Sequence, residues 1–237
     1  MLRCLSALLF LGTLLPGPVD AASPGPDAGE QALPGVERLP DGDLILGGIR
    51  VHRRERRLSF PAEINQNSGI LEVLIATGRG RLHESLLRTE IDPLHLQTLL
   101  YLLGLENGRR MAGGVTSQGH LLDIDIEWSP PEGNRVAEPV EAWVTDTRTG
   151  VPMRRLGWVF VGSVFRGGVF QATEAGNVAV TYSVDDTVLD VPDPAGDDDT
   201  IFICNERKKR PGVGETVRVV LTPRTGSATE TNEQSDN

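Results

Sequence analysis

The sequence holds two cysteines and four histidines. An iron–sulfur cluster needs several thiolates and is therefore excluded. Cys4 lies in the apolar N-terminal segment. With that segment removed, Cys204 stands alone and no intramolecular disulfide can form. Cys204 sits in T-I-F-I-C-N, where it reads as a small buried hydrophobe. Aromatic residues are also few, and Trp128, Trp143 and Trp158 all fall on apolar strand patterns, so they read as core. No later apolar run is long enough to span a bilayer as a helix, and no repeat of fixed period is present. Basic charge is in deficit: 23 Lys and Arg face 33 Asp and Glu, a formal net charge of −10. Such a chain repels phosphate backbones, so nucleic-acid binding is not expected.

The first residues carry an address. Arg3 gives a short positive start, and Leu5 to Leu15 form an apolar stretch of signal-peptide length. Val19 and Ala21 fit a small-residue cleavage site, which places residues 1–21 as signal peptide. Cys4 lies too early to be a lipoprotein cleavage cysteine. The protein is thus expected outside the cytoplasm, periplasmic or extracellular. Residues 22–42 are rich in Pro, Gly, Ala and acids and read as a flexible leader. Residues 224–237 have the same character and read as a disordered tail. The folded domain is expected over 43–223.

Within it, strand patterns dominate. Leu122, Ile124, Ile126 and Trp128 alternate with Asp123, Asp125 and Glu127, giving one dry and one wet face. Ile70 to Thr77 reads as a buried strand. H-R-R-E-R-R between Val51 and L-S-F reads as a hairpin tip with His52 in solvent. Gly47-Gly48 marks a bulge or bend. Pro139 confines its strand to an edge, and E-A-G-N reads as a hairpin turn before Val178. Many strands spaced by Gly, Pro, Asn and Asp turns indicate a mainly β domain, a sandwich or open barrel, with one docked α-helix.

That helix is legible from its ends. Asp92 is a good N-cap and Pro93 a good first residue. Leu96, Leu99, Leu100 and Leu103 make one apolar face, with Gln97, Thr98 and Tyr101 away from it. Gly104 is placed to close the helix in a left-handed conformation. Such a short helix needs a larger body to dock on.

H-E-S-L-L followed by D-P-L-H-L-Q-T-L-L-Y-L-L-G-L resembles the core of the YdjY-type bacterial domain. So do V-H-R-R-E-R-R-L-S-F-P-A-E-I-N, G-I-L-E-V-L-I-A-T-G, E-A-W-V, G-V-P-M, G-W-V-F-V-G-S and the Asp185-Asp186 segment, in order. The resemblance implies an exported domain over about 43–223 and brings no catalytic residues with it. The basic Arg207 to Arg210 run departs from the pattern.

The chemical candidates gather around the helix start. His83, Glu84, Ser85 and His95 make up the candidate cluster. Asp92 as the cap is the favoured occupant of this corner; if the corner is functional, His83, Glu84 and His95 are expected to converge on one pocket where a strand ends and the helix begins. His83 and Ser85 share one side of a strand, a spacing that rarely makes a nucleophile–base pair, and no G-x-S-x-G elbow surrounds Ser85. His83, Glu84, His95 and His120 are types that zinc accepts, without compact ligand spacing. Asp123, Asp125 and Glu127, and Asp197 to Asp199, lack a calcium-loop pattern and read as solvated acidic faces. The Arg207 to Arg210 run reads as a solvated turn, or as a docking patch for an acidic partner. The sequence thus favours an exported binding or structural module of the cell envelope, its partner a protein or other envelope component. No cofactor is expected. The competing reading is an acid/base or metal-dependent enzyme, with zinc or calcium, around His83, Glu84 and His95. Mass spectrometry of the mature protein is expected to show a first residue near Ala22; a chain that keeps Met1 in the cytosol contradicts export.

Overall fold

The computed structural model describes residues 35–111 and 115–227. The expected signal peptide, Cys4 and most of the expected leader and tail lie outside the described residues. The chain is β-rich, with one helix longer than two turns.

Twelve strands form one sheet: β1 (Val36–Arg38), β2 (Leu44–Leu46), β3 (Ile49–His52), β4 (Arg57–Ile64), β5 (Val73–Thr77), β6 (Ser85–Thr89), β7 (His120–Trp128), β8 (Val136–Pro139), β9 (Trp158–Phe160), β10 (Asn177–Val180), β11 (Leu189–Asp190) and β12 (Thr216–Ser227). Eight of them close in the order β4–β12–β7–β9–β11–β10–β5–β6 and back to β4, so the architecture is a closed barrel rather than a sandwich or open barrel. The β5–β6 and β10–β11 pairs are parallel; the other six are antiparallel. β1, β2 and β3 form a flap beside β4, and β8 is an edge strand on β7 ending at Pro139.

Closure depends on β4. Arg57, Leu58 and Ser59 pair with β3, whereas Glu63 and Ile64 pair with β6 along the same edge. Pro61 lies between the two partners. The amide of Ile64 donates to Glu215 on the β12 side, so odd-numbered residues of β4 face the split edge. Pro61 has no N–H to leave unpaired there, and its carbonyl accepts from Thr89 Oγ1 at 2.8 Å.

The inward set follows the strand period: Leu58, Phe60, Ala62 and Ile64 from β4, Leu122, Ile124 and Ile126 from β7, and Val217, Val219 and Leu221 from β12. Trp158 and Trp143 are fully enclosed, and Cys204 is buried, as the sequence pattern indicates. Glu141 is buried with them. Burial pushes its carboxyl up, against opposing hydrogen bonds that include the Trp158 indole at 3.2 Å.

The helix α1 (Pro93–Leu102) forms as its ends dictate. Asp92 Oδ1 accepts the Leu94 amide at 2.9 Å. At the other end Gly104 has φ +82°, its amide donates to Tyr101 and the Leu105 amide to Leu100, which satisfies the last carbonyls. Leu96, Leu99 and Leu100 enter the barrel core and Leu103 packs at its rim. Gln97 departs from the expectation. It is buried, and its amide group holds the backbone of Ser163 twice, donating to the carbonyl at 3.0 Å and accepting the amide at 2.7 Å.

Four other segments differ from the sequence reading. Val36–Arg38 lies in the expected leader yet pairs with β2, and β12 runs to Ser227, so the sheet extends past both expected edges. Glycines 47 and 48 make a two-residue hairpin turn with φ +54° and +81°, the geometry that matches strand twist. The expected E-A-G-N hairpin is instead a short helix α2 (Gln171–Ala175), ended by Gly176 at φ +72°. Leu100→Ala is expected to cost about 2–5 kcal/mol in denaturant unfolding, as for a packed core leucine. Thr98→Ala on the exposed face should cost far less. Equal, small losses would mean the leucine face does not bind α1 to the core.

Candidate functional site

Of the three residues expected to converge, the structure joins His83 with Glu84 and places His95 elsewhere. His83 and Glu84 lie in a 3-10 turn, Leu82–Glu84, not on a strand. Leu82 packs over the outer face of β5, which is buried on both sides, and this use of the turn sets its shape. Ser85 is fully buried and its hydroxyl donates to the Leu87 carbonyl at 3.0 Å. It is therefore a strand residue and no partner of His83. His95 lies beyond the other end of β6, in the first turn of α1. Five strand residues separate the two groups, roughly 17 Å at ~3.3 Å per residue. No hydrogen bond or ion pair among the described residues joins them. His95 instead fills a notch over the β2–β3 turn: a Cβ on Gly47 would collide with its Nδ1.

His83 and Glu84 have other company. Arg81 bonds Glu72 closely and reaches Glu84 Oε1 at 3.4 Å, and His83 Nε2 is 3.1 Å from the same Glu84 oxygen. Burial raises the Glu72 carboxyl above its ordinary range, its hydrogen bond with Glu84 adds to this, and Arg81 opposes both. Asp92, meanwhile, occupies the α1 N-terminus itself and also accepts from Thr173 Oγ1 at 2.6 Å.

His52 is not a solvated tip residue. Its Nδ1 lies 3.1 Å from Asp43 Oδ2 and its Nε2 2.8 Å from Ser59 Oγ. The hairpin builds this line, since β3 and β4 pair Arg50 with Ser59 and His52 with Arg57. Burial lowers the His52 pKa, Arg57 adds to the shift, and Asp43 opposes it. A neutral ring donates to the carboxylate through Nδ1, so Ser59 donates to Nε2. The order resembles a nucleophile, base and orienting acid. Ser59, however, is 1% exposed and lies under Arg218, so the line serves to lock the flap to the barrel. Burial acts to raise the Asp43 pKa, but Arg50 and the Arg53 amide outweigh it and hold it low. Asp43, His52 and Glu55 also bring possible metal-ligating atoms within 4.8 Å of one another. An ion there would compete with Arg50 for Asp43. Periodicity missed this cluster because its members belong to three segments.

The acidic face of β7 is covered by arginine rather than water. Arg155 and Arg224 bond Asp123, Arg155 reaches Asp125 at 3.0 Å, and Arg135 bonds Glu127.

At the far end of β7 lies a groove of about 570 Å³. Trp128, Pro130 and Pro131 line one part, and Lys208, Lys209, Arg210 and Pro211 another. Residues 208 and 209 are the only lysines in the chain. The turn that presents them is tied down by Asn205, whose amide and side chain donate to the carbonyls of Trp143 and Ala142, both at 2.9 Å. Trp128 meets Trp143 edge to face with centroids 5.3 Å apart, and the Arg210 guanidinium lies 5.9 Å from the Trp143 ring centre. Glu138 accepts from Trp143 Nε1 at 3.1 Å and from Lys208 Nζ at 2.8 Å. Lys209 is exposed and its ammonium has no partner among the described residues. The basic run is therefore neither a plain solvated turn nor fully neutralised.

No protein-family model, curated protein or solved structure matches the chain.

The His52 arrangement has a pH signature. Its folded pKa lies below the ordinary 6.5, so its contribution is present above that value and is lost as pH falls through the folded pKa. Asp43, with its pKa lowered from 3.8, loses its contribution only in more acid solution. Thermal melts are expected to show the wild type losing Tm below pH 6.5 more steeply than His52→Gln. Parallel curves would mean that His52 has the same pKa folded and unfolded.

Proposed function

We propose that the chain is an exported binding module of the cell envelope, and that its ligand site is the groove between Trp128 and the Lys208–Arg210 turn. The observation that carries this reading is that Trp128, only partly buried where the pattern indicated core, and the unpaired Lys209 line one groove of ligand size. An indole ring offers a face to the C–H side of a sugar ring or to a proline. Lys209 offers a charge to a carboxylate. The prolines at 130, 131 and 211 stiffen the walls, which limits the ordering cost of binding. Glu132, Glu138 and Glu215 also line the groove, so an acidic sugar is favoured only at the Lys209 end, where no carboxylate among the described residues pairs with the ammonium. Export rests on the N-terminal pattern, and the likeness to YdjY-type domains supports the same compartment.

The test is titration of the purified protein with an oligouronate and with its neutral counterpart, followed by tryptophan fluorescence and calorimetry. The oligouronate is expected to bind, the neutral sugar to bind at least about tenfold more weakly, and Lys209→Glu to remove the difference. No binding by the wild type, or binding unchanged in Lys209→Glu, would sink the proposal. An acid/base enzyme is the second reading, supported by the Glu72–Glu84 pair beside exposed His83. A hydrolytic activity lost in both Glu72→Gln and Glu84→Gln, with the fold retained, would shift the assignment there.

A further inference from the structure

A different surface carries its own signal, independent of the groove. Leu102, at the end of α1, is 73% exposed, and Tyr101 beside it is 45% exposed. The β3–β4 tip reaches this helix end. Arg56 donates to the Leu103 carbonyl at 2.5 Å, and its guanidinium would touch a Cβ placed on Gly104. Arg56 adopts φ +52°, the left-handed conformation that closes the tip. The same tip carries Arg53 and Arg54, both exposed, with guanidinium groups that have no partner among the described residues. Glu55, the one acid of the tip, has its carboxylate within 4.8 Å of the Asp43 and His52 ligand atoms. It is thus drawn toward the flap, and it leaves Arg53 and Arg54 unneutralised.

We infer that the α1 end and the adjoining tip, with Leu102 and Tyr101 as apolar points and Arg53 and Arg54 as charges, dock on an anionic lipid bilayer surface. Exposed apolar side chains beside unpaired arginines match the two contributions of interfacial binding: partition into the acyl boundary and attraction to anionic headgroups. The whole-chain charge of −10 opposes approach to an anionic surface in any other orientation. An anionic surface repels most of this molecule, so only the arginine-bearing face can approach it.

The experiment is co-sedimentation of the mature chain with phosphatidylcholine vesicles, with and without phosphatidylglycerol. Binding is expected only with phosphatidylglycerol, and to weaken as salt rises. Arg53→Glu with Arg54→Glu should lower the partition constant at least about 25-fold, about fivefold for each of the two lost cations, before the repulsion of the two added carboxylates. Leu102→Ser should lower it as well, while circular dichroism stays unchanged. Arg154→Glu, an exposed arginine on another loop, serves as the charge control and should bind as the wild type does. Absence of binding to phosphatidylglycerol vesicles overturns the inference, as does binding that survives Arg53→Glu with Arg54→Glu. A concentration-dependent dimer in light scattering that Leu102→Ser abolishes also overturns it, since the face would then belong to a second copy.

Discussion

The divided edge of β4 is the constraint on which the remaining structure depends. One half of this strand must pair with the flap and the other half with β6, or the barrel stays open. Only two register pairs, Glu63 with Arg88 and Ile64 with Leu87, complete the circle. An open circle would leave β4 and β6 with unpaired backbone groups. It would also uncover β5, whose five residues are buried on both faces. Proline at 61 suits the division because its ring removes the one donor that would face the gap between partners.

Polar side chains inside this frame mainly join segments that hydrophobic contact alone would leave free to slide. Gln97 ties α1 to the Ser163 backbone, Thr181 donates to the Leu71 carbonyl at 2.6 Å, and Ser183 donates to Asp190 at 2.8 Å. The Asp43–His52–Ser59 line does the same for the flap. A buried polar group left without its partner costs more than the bond gains, so these contacts select one register. Buried apolar side chains line the barrel interior. On the surface the groove at Trp128 and the arginine tip lie on separate elements, one after β7 and one between β3 and β4.

The candidate site illustrates how far a linear pattern reaches. Asp92, Pro93 and Gly104 act within one turn of themselves, and the helix they bound appears where their chemistry puts it. His83 and His95 stand close in sequence, but β6 lies between them and spends that closeness as length. His52 gave the opposite lesson. In the chain it sits among arginines and looks wet, and only the pairing of β3 with β4 sets it against Ser59. Lys209 and Trp128 are far apart in sequence and share a groove because two strand ends arrive on one side.

What the sequence alone determined is local or periodic. The alternation along β7, the leucine face of α1, the β-rich class and the edge position of Pro139 all follow from backbone geometry acting over a few residues. Tertiary structure decided the rest: closure of the barrel, the switch of β4 between partners, the burial of Gln97 and the grouping of Asp43, His52 and Ser59. Those depend on which strand ends meet in space. Pairing partners are chosen by the burial of the whole core, a sum over distant residues that no stretch of sequence carries by itself.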